Sequence, residues 1–369
     1  MAPTSATADE RELIRAAAGG DEAAYGRLVG PYRSELHAHC YRMLGSVYDA
    51  EDAMQDALLR AWRALGRFEG RASFRSWMYT IATNVCLNQI ARRPKRVLPV
   101  DHGPPTDPHA GPGEPLVESV WVEPYPDEVL GIQDGRAAPD ARYEMRESVE
   151  LAFVVALQHL PATQRAVLIL REVLGYSAAE VAQALDTTVA SVNSALQRAR
   201  KTLEQKVPER SQQATLRSLG DAGLDELVTD YADAWERGDV ETVVSMLAEE
   251  ATFAMPPLAS WFGGRDSIRT FLAGWPLSGL WRWRSVRTRA NGQVALAFYA
   301  WDEDEQAFTP FALNVLTFRD SLISDVVAFV ARSTAPTERE AYHRWVEQPA
   351  DASRLAGTFG RFGVPERLT

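Results

Sequence analysis

Apolar residues recur at every third or fourth position over two long stretches of the chain, and at every second position over a third. Leu28, Tyr32, Leu36, Cys40 and Leu44 form one helical stripe, and Ala50, Ala53, Ala57, Ala61 and Leu65 form another, so residues 10–96 predict a helical domain. The period is lost over 97–140, which are rich in Pro, Gly and acids, with His102-Gly103-Pro104-Pro105 and Gly111-Pro112-Gly113 as breakers. That composition predicts a linker without a core. Residues 141–207 return to helical spacing. Over 222–333 two helices are followed by alternating runs such as Val294 to Trp301 and Phe311 to Phe318, which predicts an α+β domain. Residues 334–369 form an extension with one short helical piece, Glu338 to Val346, and a Gly-rich tail.

The second helical zone carries a helix-turn-helix pattern. Ser177 and Glu180 have the spacing of a capping box, and the helix they open runs through Val181, Ala182 and Leu185. Asp186-Thr187-Thr188 breaks it, and a second helix starts at Val189. Val192, Leu196, Ala199 and Leu203 share one stripe, which leaves Ser191, Asn193, Ser194, Gln197, Arg198, Arg200 and Lys201 opposite. Amides and hydroxyls pair with base edges in a major groove, and cations neutralise phosphates. A solvated polar face on an ordinary amphipathic helix pair is the plain alternative.

In the first zone, Leu44 to Trp62 reads as a helix with an acidic start. Asp49, Glu51 and Asp52 suit the helix dipole there whatever else they do. After the loop at Phe68-Glu69-Gly70-Arg71, Ser73 is placed to cap a further helix. That helix has Phe74, Met78, Ile81 and Val85 on its core side and Trp77, Thr80, Asn84 and Asn88 on another face. It ends in Arg92, Arg93, Lys95 and Arg96. Aromatics and amides beside a basic terminus suit opened single strands, whose bases stack while cations hold the backbone.

Two segments carry a family resemblance. Leu157 to Val167, continuing through Arg171-Glu172 into the helix pair, resembles region 4 of sigma factors, and Leu44 to Trp62 resembles region 2.2. Together they resemble the extracytoplasmic-function branch of the sigma-70 family. The resemblance implies a non-enzymatic subunit that directs core RNA polymerase to promoter DNA. Asp49, Glu51, Asp52, Gln55 and Asp56 would dock on the polymerase. Arg71, Phe74, Trp77, Asn84, Asn88, Arg92 and Arg93 would open the −10 element, and the exposed face of the second helix of the pair would read the −35 element. Asn193 and Ala195 stand where the family usually has basic residues. The linker acids Asp101, Asp107, Glu114, Glu118, Glu123, Asp127 and Glu128 would imitate a nucleic-acid strand in the polymerase's RNA path.

The element order of the third domain resembles the SnoaL-like, NTF2-like cone, and Trp121 to Asp127 resembles a linker signature of sigma factors with such a domain. The expected fold is therefore multidomain: two all-α sigma modules, a region 2 bundle and a region 4 helix-turn-helix, plus an α+β cone. Isomerising relatives of the cone carry a carboxylate just after the first strand, where this chain reads Met255-Pro256-Pro257. His343 lies beyond the domain, and Asp302 to Glu305 predict a hairpin tip. The pocket then reads as ligand-sensing or structural. The resemblance also implies that this domain, with the Gly357 to Leu368 tail anchored by Phe359, Phe362 and Val364, contacts the sigma modules and modulates them.

Composition adds limits. The net charge of −11 is unusual for a protein that meets DNA, but DNA contact needs only a local basic face. No stretch approaches the apolar run that spans a bilayer, so a cytoplasmic location without membrane contact is expected. Cys40 and Cys86 fit neither a disulfide framework nor a zinc spacing, and His37, His39 and Cys40 do not share one helical face, so neither metal nor cofactor is expected. Two other classes fit parts of the pattern: a ligand-sensing helix-turn-helix regulator, and a polyketide-cyclase- or isomerase-like enzyme.

Overall fold

The computed structural model describes residues 8–113, 115–116, 120–130, 146–208, 210–331 and 358–369. The chain divides into two compact units that interleave along the sequence. One holds residues 1–96 and 129–208, the other 97–128 and 209–369.

The first unit is helical: α1 (Ala8–Ala18), α2 (Glu22–Val29), α3 (Arg33–Leu44), α4 (Val47–Ala64) and α5 (Phe74–Ile90), then α6 (Leu151–Gln158), α7 (Ala162–Leu168), α8 (Ala178–Ala184) and α9 (Val189–Glu204). The boundaries follow from local chemistry. Ser46 accepts a hydrogen bond from the Asp49 amide at 3.1 Å and starts α4, and Ser73 does the same for α5 through Ser76. In α4, Ala50, Ala53, Ala57 and Ala61 are buried, as the stripe predicts. The capping box at α8 has both of its bonds, 2.7 and 3.2 Å. Asp186 adopts a positive φ of 49° in the break, and Thr188 caps α9.

Spacing along the chain separates the two helical modules, yet here they pack on each other. Arg42 of α3 donates to the Ser148 carbonyl at 3.0 Å and to its hydroxyl at 2.6 Å. Arg165 of α7 donates to the Met43 carbonyl and to Gln158, whose amide in turn reaches the Arg42 carbonyl at 3.2 Å. Gly45 makes room for this contact. Its φ of 71° ends α3, and a Cβ there would meet the Gln158 side chain at 3.1 Å.

The second unit is built on one six-stranded sheet. Its strands are β1 (Leu247–Ala254), β2 (Trp261–Gly263), β3 (Trp283–Ala290), β4 (Gln293–Asp302), β5 (Ala307–Arg319) and β6 (Leu322–Val330), in the order β2-β1-β6-β5-β4-β3. All neighbours are antiparallel except β1 and β6. Helices α10 (Gln212–Glu236), α11 (Val240–Ser245) and α12 (Arg265–Gly274) cover one face, where Val294, Leu296 and Phe298 meet Tyr231, Trp235 and Phe271 in one core. The turn after Asp302 is the expected hairpin tip. Gly220, at φ 70° and ψ 162°, breaks α10 into two segments, and the segment before it lies ahead of the helix that the pattern predicts from Leu224. Gln212 bonds the Phe318 carbonyl and amide at 2.7 and 2.8 Å and ties the helix start to β5.

One expectation is corrected here. Residues 97–128 are not a free spacer. Tyr125 exchanges hydrogen bonds with Asn291, Asp127 accepts from the Gly292 amide at 2.7 Å and pairs with Arg289 at 3.2 Å, and the Leu116 amide donates to the Pro257 carbonyl. Asp127 is thus a structural partner of β3 and not a free charge for a polymerase channel; Glu114 and Glu118 lie outside the described residues. The tail packs within its own unit as well. Phe359 packs edge-on against Tyr299, the Tyr299 hydroxyl donates to the Pro365 carbonyl at 2.7 Å, and Leu368 pairs with Phe308. The residues from Glu338 to Val346, His343 among them, are outside the described residues.

Candidate nucleic-acid interface

Helix α9 sorts its residues as a reading helix requires. Val192, Ala195, Leu196 and Ala199 are buried, while Ser191, Asn193, Ser194, Gln197, Arg198, Arg200 and Lys201 are all exposed on one surface. Ala195 therefore belongs to the packed side, and its lack of charge removes nothing from the outward face. Arg200 pairs with Glu172 at 2.7 Å, but both side chains are about half exposed, and such a surface bridge yields easily to a phosphate.

The helix α5 is more mixed. Asn84, Asn88 and Arg92 are exposed, and Trp77 is half-buried beside Phe68 with ring centroids 5.0 Å apart. Arg71 is exposed and pairs with Glu69 at 2.5 Å. Phe74, predicted among the strand-opening residues, is 1% exposed within a ring cluster of Tyr32, Phe68 and Trp77. It supports Trp77 and has no surface of its own. Arg93 pairs with Asp49.

That pair also alters the acidic helix. Asp52 and Gln55 of α4 are exposed, Glu51 and Asp56 are partly so, and Asp56 holds Arg60 at 2.8 Å one turn on. Asp49, predicted to dock on the polymerase with them, is buried and bound to both Arg93 and Arg96, the latter at 2.6 Å. It fastens the end of α5 to the start of α4. Sequence reasoning assigned no role to Arg42, Gln158 or Arg165, which join the two modules. Nothing in their spacing marks them, since each partner lies 106 to 122 residues away across the first unit's fold.

No group of His, Cys, Asp and Glu among the described residues is arranged to hold a metal ion. His39 is buried and contacts the Thr83 hydroxyl at 2.9 Å; burial, with Arg42 and Arg75 nearby, lowers its pKa to about 3. No helix among the described residues is long and apolar enough to cross a membrane.

The second unit holds a partly open cavity of about 40 Å³ between the sheet and its helices. Its walls are aromatic, chiefly Trp235, Phe253, Trp281, Trp283 and Phe311, with Met255 among the other lining residues. No titratable side chain among the described residues lines it. Two of its buried polar atoms, Asn314 Oδ1 and Trp235 Nε1, have no hydrogen-bond partner, a condition that costs about 1–3 kcal/mol per group.

The chain matches the family models for Sigma-70 region 2 over residues 28–96, Sigma-70 region 4 over 150–203, and the SnoaL-like domain over 228–326. It is 42% identical over 310 residues to the ECF RNA polymerase sigma factor SigG of Mycobacterium tuberculosis, covering 83% of this chain and 81% of SigG. It is 27% identical over 200 residues to the ECF sigma factor SigW of Bacillus subtilis, covering 53% of this chain and 96% of SigW. The crystal structure of the M. tuberculosis ECF sigma factor SigJ superposes with a TM-score of 0.53 at 21% identity, covering 89% of this chain and 96% of SigJ, and so shares its fold. Matches to Sigma-70 regions 2 and 4, a SnoaL-like third domain, and a relative this similar over most of its length place the chain in the extracytoplasmic-function sigma factor family.

Proposed function

We propose that the outward face of α4, made by Asp52 and Gln55 with Glu51 and Asp56 at its edges, docks this sigma factor on a basic helical surface of core RNA polymerase in the cytoplasm. In the same reading α9 enters the major groove of the −35 element. Ser191, Asn193, Ser194 and Gln197 meet base edges there, and Arg198, Arg200 and Lys201 meet phosphates. Trp77, Asn84 and Asn88, with Arg71 and Arg92 beside them, take the opened −10 strand. The third domain is non-catalytic and modulates initiation through its hold on residues 97–128, the stretch that joins the two sigma modules in sequence.

The observation that carries this is the sorting of α9, whose seven candidate contacts are all exposed while the stripe between them is buried. An enzyme reading finds no support in the cavity, which offers no acid or base. Docking is tested by co-elution of the full chain with purified core polymerase. The double substitution Asp52→Ala with Gln55→Ala is expected to abolish co-elution and leave the thermal midpoint in place. Co-elution equal to that of the unsubstituted protein would assign docking to another surface.

A further inference from the structure

The cavity of the second unit combines three features that together specify an occupant. Its walls are apolar and largely aromatic, with no charged side chain among the lining residues, so an ion entering it would lose its hydration without compensation. Asn314 on β5 lines it and carries a buried carbonyl oxygen with no partner, which calls for a hydrogen-bond donor. Part of its wall comes from Pro112, in the stretch that joins the sigma modules.

Size supplies the link between them. The cavity holds about 40 Å³, whereas an apolar cavity that takes up benzene has about 150 Å³. A ring-sized molecule is therefore taken up in full only if a wall moves. The sheet walls are held by the β4–β5 and β5–β6 ladders, each interrupted by one irregularity, at Phe311 and at Thr317/Phe318. Among the described residues the Gly111-Pro112-Gly113 turn is attached by the Ser260 hydroxyl to the Pro112 carbonyl, with the flanking chain held at Thr106–Trp261 (2.8 Å), Trp261–Gly103 (2.9 Å) and Leu116–Pro257 (3.0 Å). Both glycines have positive φ, and a Cβ on Gly111 would stand 3.3 Å from the Trp275 indole nitrogen, so the turn lies directly on the rim.

We propose that this cavity binds an uncharged aromatic molecule of one or two rings bearing a single hydroxyl, which donates to Asn314 Oδ1, and that its entry displaces the Gly111–Gly113 turn from Ser260. That the displacement adjusts transcription rests on the modulating role proposed above for the third domain. Binding and displacement do not, and they are measured with no polymerase present, so the two readings fail separately.

The probe is 2-naphthol, titrated calorimetrically into the full chain beside naphthalene and naphthalene-2-sulfonate, with amide exchange followed over residues 103–116. The neutral probes are expected to bind and the sulfonate not to. 2-Naphthol should speed exchange of the Thr106 and Leu116 amides about tenfold. Asn314→Leu should weaken 2-naphthol about tenfold while naphthalene binds as before or better. If Asn314→Leu loses both probes, the exchange result on the unsubstituted protein decides. Absence of 2-naphthol binding, equal binding of the sulfonate, undiminished 2-naphthol affinity in Asn314→Leu, or binding without faster exchange at Thr106 and Leu116 would each overturn the proposal.

Discussion

Asp49 and Asp52 stand three residues apart at the start of one acidic helix, and the sequence gives no reason to separate them. The structure does, because Arg93 and Arg96 arrive from the end of α5 and take Asp49 out of solvent. Asp49→Ala leaves the buried Arg96 without its carboxylate and is expected to destabilise the first unit by about 3 kcal/mol or more in urea unfolding; a cost no larger than that of an exposed substitution would contradict the pairing. His39 makes a second prediction at this scale. Its folded pKa of about 3 lies below the ordinary 6.5, so the unfolded chain takes up the proton first. The stability it contributes is complete above pH 6.5 and drains away as the pH falls toward 3, at up to about 1.4 kcal/mol per pH unit. His39→Gln should flatten that acid limb of the urea midpoint, and an unchanged slope would place the titration elsewhere.

At the scale of elements, the helices were legible wherever a cap and a stripe coincide. Ser73 and the Ser177–Glu180 box start helices where their spacing predicts, whereas the break at Gly45–Ser46 falls inside the helix expected from Leu44; the face of α9 separates as its period requires. The stretch from 97 to 128 was illegible for a physical reason. It attaches through backbone bonds and single side chains to strands more than a hundred residues away, as Tyr125 does to Asn291, and such contacts leave no period. Phe74 misled in the opposite direction. An aromatic at a helix start suits a strand-opening site, but three neighbouring rings bury it. For α9 the expected outcome is a salt dependence. Arg198→Ala should lower the slope of log affinity against log salt by about one unit, as one phosphate contact is lost. A slope equal to that of the unsubstituted protein would mean that Arg198 faces away from the DNA.

Across the whole molecule, the order of modules along the chain differs from the order of compact units. The two sigma modules share one unit through Arg42, Gln158 and Arg165, and the stretch between them belongs to the other unit with the SnoaL-like domain. The family and the set of folds were readable from local motifs, whereas this interleaving depends on long-range polar contacts that no motif encodes. The central claim is that the chain acts as a promoter-specificity subunit, and run-off transcription tests it most directly, with purified core polymerase, genomic DNA fragments and the full-length protein. The account predicts transcripts from discrete start points that appear only when the protein is added and vanish with Asp52→Ala and Gln55→Ala together. Transcripts identical with and without the protein would contradict it.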